Sequence, residues 1–101
     1  MVKWESYESP LFVLYDVVSD RVRKKIYETC LDYGLAPVQY STFFGCLDSA
    51  RRLELCRRIE RLIVSDPGNY IVVPLTRDLL KRIVARGNAL GISQTSMVQF
   101  I

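Results

Sequence analysis

The feature that most constrains the fold is the apolar run "LFVLYDVV" at residues 11–18. Apolar and aromatic side chains follow one another there without the polar alternation of a half-exposed strand. Such a run is typical of a central strand that is covered on at least one face. Asp16 lies at or near the carboxyl end of this predicted strand, and a basic cluster follows it directly, comprising Arg21, Arg23, Lys24 and Lys25.

A helix is predicted after this strand. Ser19 or Asp20 is a suitable N-cap, and the helix should end near Tyr33 because Gly34 can adopt the left-handed conformation of a C-terminal stop. Apolar residues recur at helical spacing and predict a buried face, which comprises Val22, Ile26, Cys30 and Tyr33. Arg23 falls at the edge of that face, close to the strand end and Asp16.

The rest of the chain continues the alternation of strands and helices. Residues 36–47 are rich in β-formers and contain a turn near Tyr40–Ser41. Asp48 or Ser49 caps a second helix that runs to about Val64, and the turn "SDPGN" leads into the strand "YIVVPL", whose Pro74 suits a strand end or sheet edge. We also expect a short helix at 78–86 closed by Gly87, and a terminal strand "MVQFI" at 97–101.

This order predicts an α+β fold. With the segment 36–47 split into two strands, the chain becomes a ferredoxin-like βαββαβ sandwich with both helices on one face and an extra C-terminal strand. We expect a single domain over residues 1–101. Within it, residues 1–10 form an N-terminal extension and residues 77–101 a C-terminal extension.

Composition excludes several kinds of site. The chain of 101 residues contains no histidine, which removes Ser–His and Cys–His nucleophile pairs and the usual zinc sites. The three cysteines, Cys30, Cys46 and Cys56, form no CxxC pair and are expected to be reduced thiols. No apolar run is long enough to span a membrane, and we expect a cytoplasmic protein. An enzyme of this composition would rely on carboxylates and a hard metal ion.

The basic residues are mostly arginines, ten of fourteen, and the planar guanidinium suits phosphate oxygens. On the second helix they form a stripe that comprises Arg51, Arg57, Arg58 and Arg61. Such a stripe is either a solvated face or a track for a nucleic-acid backbone or a partner protein.

The strand ending in "YD", the basic helix, the segment "YGLAPVQYSTFFG", the second helix and "YIVVPL" together resemble one family over about residues 11–76. It is the small CRISPR-associated protein of spacer acquisition, the partner of the integrase subunit, first described as a metal-dependent endoribonuclease. The element "VQYS" followed by an aromatic residue and a glycine carries most of the resemblance. Pro37 departs from the family, in which many members have a base at that position.

The resemblance implies roles for several residues. Asp16 matches the metal-binding and catalytic aspartate, Arg23 matches a helix arginine that acts with it, and Tyr15 and Phe43 match aromatic residues of the site. Tyr15, Arg21, Arg23, Phe43 and the arginines at 57, 58 and 61 are the expected nucleic-acid contacts. Because one carboxylate is a poor ligand set for Mg²⁺ or Mn²⁺, a homodimer that joins two Asp16 side chains is expected to complete the site.

Several residues keep two interpretations at this point. Asp20 is either a helix cap or an indirect partner of the metal site, and Arg23 is either a phosphate clamp or a partner of a neighbouring acid. Phe43 is either a core residue or a base-stacking residue. Ser41 and Thr42 either bind phosphate or serve the turn.

Three functions compete. The first is a magnesium-dependent endonuclease that cuts single-stranded RNA or duplex DNA. The second is a catalytically silent dimer that binds prespacer duplex DNA and bridges integrase dimers. The third is a toxin nuclease or regulatory module of similar topology, which the "VQYS" element disfavours. In the family, a terminal strand such as 97–101 adds to the sheet of the partner subunit.

Overall fold

The computed structural model describes residues 7–86, which alternate between strands and helices as the sequence predicts. The elements are β1 (Ser9–Asp16), α1 (Asp20–Asp32), β2 (Ala36–Gln39), β3 (Thr42–Leu47), α2 (Ser49–Ile63), β4 (Asn69–Pro74) and α3 (Arg77–Leu80). The terminal strand expected at 97–101 lies outside the described residues. No helix within residues 7–86 has the length and apolar character needed to cross a bilayer.

The sheet has the strand order β2-β3-β1-β4, and each neighbouring pair is antiparallel. β1 is therefore central, as its continuous apolar run predicts. This order, with α1 and α2 packed together on one face, is the ferredoxin-like βαββαβ arrangement, and the predicted fold class is confirmed.

Local side-chain chemistry fixes the helix ends. Ser19 is the N-cap of α1, since its hydroxyl accepts a 3.2 Å hydrogen bond from the backbone N–H of Val22. Asp48 caps α2 in the same way and accepts a 2.7 Å bond from Arg51 N–H. Gly34, just past α1, has a φ of 79°, a left-handed conformation that only glycine adopts without strain.

The core lies between the sheet and the two long helices. Alternate residues of β1 point towards it, namely Leu11, Val13 and Tyr15. Ile26 of α1 and the apolar face of α2 meet them, and all of these side chains are buried. Burial of each large apolar side chain contributes about 1.5–3 kcal/mol, so this layer provides most of the stability of the fold.

The other face of the sheet is only partly covered. Near one end, Phe12 and Phe44 pack against Leu80 of α3 and the segment that follows it. Towards the other end, Leu14 of β1 and its cross-strand neighbour Ile71 of β4 are exposed, Ile71 by 58%. We call this side of the sheet the open face.

Two predicted boundaries were wrong. The strand expected at 11–18 spans Ser9–Asp16, because the backbone N–H groups of Val18 and Ser19 bond the Asp66 carboxylate instead of a neighbouring strand. The helix expected at 78–86 is the single turn Arg77–Leu80. The β-branched pair Ile83–Val84 favours helix weakly, and packing of Leu80 and Ile83 on the open face competes with further helix. Gly87 lies outside the described residues.

Candidate active site and nucleic-acid interface

Asp16 is the last residue of β1, as predicted from the end of the apolar run. It is exposed, lies opposite Asn69 of β4 and shares the open face with Leu14 and Ile71. No side chain within residues 7–86 forms a hydrogen bond or an ion pair with it. The carboxylate is therefore accessible to an external ligand on the side of the sheet away from the helices.

The backbone at Asp16 lies very close to Gly68, the residue that precedes β4. A Cβ atom built on Gly68 would lie 2.2 Å from the carbonyl oxygen of Asp16 and 2.8 Å from the Cα atom of Val17. Any side chain at position 68 would have to displace the end of β1. Gly68 is thus required for the position of Asp16.

Asp66 fixes the loop that follows Asp16. Its carboxylate accepts hydrogen bonds from the backbone N–H groups of Val18 (3.2 Å), Ser19 (3.0 Å) and Gly68 (2.7 Å). Desolvation opposes ionisation of this carboxyl, but the three N–H donors and the nearby Arg23 outweigh it and lower the pKa of Asp66. The sequence "SDPGN" predicts only a turn at Asp66. The Asp–Pro–Gly order could have indicated an aspartate that bonds its own turn.

Arg23 supports the same loop from the first turn of α1. Its guanidinium forms a 2.5 Å ion pair with Asp20 and donates to the carbonyl oxygens of Val17 at 3.1 Å and Val18 at 3.4 Å. Asp20 is therefore the first residue of α1 and a partner of Arg23 rather than the N-cap. Arg23 was predicted either to pair with a neighbouring acid or to bind phosphate. The structure shows the ion pair, with Asp20, and contact with phosphate stays a prediction.

The aromatic residues predicted for the site form a cluster below the helix α1. The ring of Phe43 lies 6.4 Å from that of Tyr15 and 5.1 Å from that of Tyr27, measured between centroids. Phe43 is only 1% exposed, so it is a core residue that supports the tyrosines.

Ser41 and Thr42 both serve the turn between β2 and β3. Ser41 has a φ of 54°, and the Thr42 hydroxyl donates a 3.2 Å bond to the carbonyl of Tyr40. The Ser41 carbonyl also accepts a 3.1 Å bond from Tyr15 N–H and ties the turn to β1. Pro37, the departure from the family pattern, is an exposed residue of β2.

The arginine stripe on α2 divides into two groups. Arg51 and Arg58 place their guanidinium carbons 5.0 Å and 5.5 Å from the ring centre of Tyr33. The Tyr33 hydroxyl in turn donates to the Glu54 carboxylate, which joins the end of α1 to α2. Arg57 and Arg61 are exposed and form no ion pair with residues 7–86. The same is true of Arg21 on α1.

The cysteines have the character expected of unreactive thiols. All three are free, and burial raises the pKa of both Cys30 and Cys46 to about 12. Such thiols are protonated at neutral pH and are weak nucleophiles.

The described part of the chain does not by itself present a full donor set for a metal ion. No group of three histidine, cysteine, aspartate or glutamate side chains within residues 7–86 is placed to hold an ion. Asp16 offers a hard oxygen donor of the kind that Mg²⁺ prefers, and its exposure leaves room for water.

The comparison with protein families decides the affiliation. The family described as CRISPR associated protein Cas2 matches residues 10–83, from β1 to the segment after α3. The chain belongs to the Cas2 family. The family resemblance inferred from the sequence is thereby confirmed.

Individual relatives agree with this assignment. CRISPR-associated endoribonuclease Cas2 of Desulforudis audaxviator is 48% identical over 63 residues, which are 62% of this chain and 59% of that protein. CRISPR-associated endoribonuclease Cas2 2 of Chloroflexus aurantiacus is 39% identical over 57 residues, 56% of this chain and 67% of that protein. A crystal structure of Cas2 superposes with a TM-score of 0.54 at 26% identity, covering 66% of this chain and 76% of that chain.

Proposed function

We propose that this Cas2-family chain takes part in CRISPR spacer acquisition as a homodimer that cleaves phosphodiester bonds with the help of Mg²⁺ or Mn²⁺. Single-stranded RNA is the first expected substrate and duplex DNA the second. One observation carries the proposal: the Asp16 carboxylate, which has no hydrogen-bond or ion-pair partner among residues 7–86, stands at a strand end beside exposed apolar side chains. The names of the two relatives, both endoribonucleases, support the class of reaction.

The open face provides the reason for dimerisation. Leu14, Ile71 and Val73 lie on it within the two strands β1 and β4 and are partly or mainly exposed. An apolar patch of this kind on a sheet is a common site of association. Two copies packed face to face about a two-fold axis would cover the patch and bring both Asp16 residues into one interface.

Within such a dimer, the two Asp16 carboxylates would hold the ion. When bound, the ion would polarise the phosphodiester and lower the pKa of an attacking water. Arg23 would act from the loop behind β1, where its contacts with Val17 and Val18 fix the backbone next to Asp16. Asp66 would assist from the same loop through its bonds to Val18 and Ser19.

The substitution Asp16→Asn tests the proposal. Asparagine keeps the shape of the side chain but removes the charge that binds the ion, so Mg²⁺-dependent cleavage of RNA should fall by about a hundred-fold or more. Binding of duplex DNA should stay nearly unchanged. Asp32→Asn, at an exposed carboxylate near the end of α1, is the matched control and should cleave normally.

Cleavage by Asp16→Asn at the wild-type rate would reject the catalytic role. In that case the alternative applies, a silent dimer that holds prespacer DNA and bridges integrase dimers. Arg57 and Arg61 favour this alternative, since both are exposed on α2 without an ion-pair partner in residues 7–86 and are available to phosphates.

A further inference from the structure

A cavity of about 310 Å³ lies between α1 and the β2–β3 turn, on the helix side of the sheet. Its volume is at the lower end of the range for small-molecule sites. The lining combines three tyrosines, two cations and an amide, namely Tyr15, Tyr27, Tyr40, Arg23, Lys24 and Gln39. Except for Arg23, none of these residues has a role in the function proposed above.

Two of the tyrosines present their rings at the surface on a fixed backbone. Tyr40 is 84% exposed at the turn, which the left-handed Ser41 and its bond to Tyr15 N–H hold in place. Tyr27 is 41% exposed and rests with its ring edge on the buried Phe43. A planar ligand such as a nucleobase can stack on exposed aromatic rings of this kind.

The third tyrosine offers an unused hydroxyl. The Tyr15 side chain is only 6% exposed, yet its phenol oxygen forms no hydrogen bond with residues 7–86. Burial, together with the neighbouring Cys30, Tyr27 and Tyr40, raises the pKa of Tyr15 to about 12. The group therefore stays a neutral donor, and buried tyrosine hydroxyls usually have a partner.

The charges of the cavity favour an anion. Arg23 and Lys24 are cations, and Asp20, the carboxylate that residues 7–86 contribute to the lining, already pairs with Arg23. Lys24 forms no ion pair with residues 7–86 and is left to attract a phosphate. Gln39 adds an amide that both donates and accepts hydrogen bonds, as the edge of a nucleobase requires.

We propose that this cavity binds one unpaired nucleotide of a single-stranded nucleic acid, with the base stacked on Tyr40 and Tyr27 and its phosphate on Lys24. The inference deepens the function proposed above and rests on it, because it names the part of a single strand that the protein recognises. A base held in a duplex could not enter, since its edge and faces are occupied by pairing and stacking. The site would therefore distinguish single strands from duplexes.

The test is the affinity for a short fluorescein-labelled single-stranded RNA, measured by anisotropy in EDTA so that no cleavage occurs. Tyr40→Ala should weaken binding by between about five-fold and about a hundred-fold, whereas Tyr40→Phe, which keeps the ring, should bind like wild type. Tyr7→Ala, at another exposed tyrosine outside the cavity, is the control. Lys24→Ala should weaken binding and Lys25→Ala, on the same helix but outside the lining, should weaken it less.

Three further ligands separate the contribution of the base from those of the sugar and the phosphate backbone. A strand of the same length with abasic positions should bind weakly and equally to wild type and Tyr40→Ala, because it has no base to stack. Duplex DNA should bind equally to both proteins. A single-stranded DNA of the same sequence shows whether the sugar matters, and loss with Tyr40→Ala on either strand supports the site.

Equal binding of the RNA by wild type and Tyr40→Ala would overturn the inference, as would an equal loss on the abasic strand. Either result would leave the proposed function intact, since that function is tested by Asp16→Asn and metal-dependent cleavage. A wild-type protein that binds neither single strand nor duplex would overturn both.

Discussion

On the helix-covered face of β1, Val13 and Tyr15 are buried, whereas Leu14 and Asp16 on the open face of the same strand are exposed. The two sets alternate along one backbone, so neighbouring residues have different tasks. The covered set contributes to the stability of a single chain. The open set provides an exposed carboxylate and an exposed apolar surface, both of which the proposed dimer would use. Substitutions on the two faces should therefore change different measurements.

The largest difference in the free energy of unfolding is expected between the variants Ile26→Ala and Ile71→Lys. Ile26 is fully buried, and its truncation leaves a cavity that should lower the free energy of unfolding by about 2–5 kcal/mol. Ile71→Lys changes an exposed side chain and should alter that free energy in the monomer by about 0.5 kcal/mol or less. The lysine should, however, convert the dimer to monomer in sedimentation experiments, because it places a charge in the proposed interface.

This comparison would fail in two ways. A dimer that persists in Ile71→Lys would show that the open face is not the interface. An Ile71→Lys monomer that unfolds as readily as Ile26→Ala would show that the open face contributes to the fold of a single chain. Urea denaturation at a protein concentration below the dimer dissociation constant measures the free energy of unfolding of the monomer, without the contribution of dimerisation.

The second prediction concerns Asp66, whose carboxylate holds the loop that follows β1. The carboxylate has a lowered pKa in the folded chain, so its contribution to stability is fully present above the pKa of the unfolded state, roughly 3.9. The contribution is lost as the pH falls through the folded-state pKa. The melting temperature of Asp66→Asn should thus lie below that of wild type at pH 6–7, and the gap should narrow towards pH 3.

Asp32→Asn provides the comparison for this pH series, because Asp32 is exposed at the end of α1. Its melting temperature in the same series measures the effect of removing one surface carboxylate that accepts no backbone N–H bond among residues 7–86. A gap between Asp66→Asn and wild type that stays constant from pH 7 to pH 3 would contradict the role of the ionised Asp66.

Much of the fold follows from the sequence because local signals and packing agree. The apolar run predicts β1, and Ser19, Gly34 and Asp48 mark helix ends by capping chemistry that acts within a few residues. The position of Asp16 at a strand end follows for the same reason. The predicted α3 is too long because the sequence after Leu80 is compatible with helix. The competing interaction, the packing of Leu80 and Ile83 on the open face, is visible only in the structure.

The parts of the site that could not be predicted depend on contacts between distant segments. Asp66 lies 47 residues from Ser19 in the sequence, yet accepts its N–H. Tyr27 and Tyr40 meet in one cavity only after β2 and β3 pair with β1. The stacking of Arg51 and Arg58 on Tyr33 also requires that α1 and α2 are already packed. None of these pairs leaves a periodic pattern in the chain.

A smaller effect is expected from the arginines of α2, on the covered side. Arg57→Ala with Arg61→Ala should weaken duplex DNA binding for all sequences alike. It should also reduce the slope of log K against log salt by at most about one unit per lost phosphate contact. Arg58→Ala should instead lower the melting temperature, since its guanidinium stacks on Tyr33. An unchanged salt slope for the double variant would restrict nucleic-acid binding to the α1 side.

The most direct test of the account is the stoichiometry of Mn²⁺ binding by calorimetry, since the central claim is that two chains share one ion through Asp16. The account predicts one Mn²⁺ for every two chains, no binding by Asp16→Asn, and no binding by the monomeric Ile71→Lys, whose own Asp16 is intact. One ion per chain, or undiminished binding by Asp16→Asn, would contradict it.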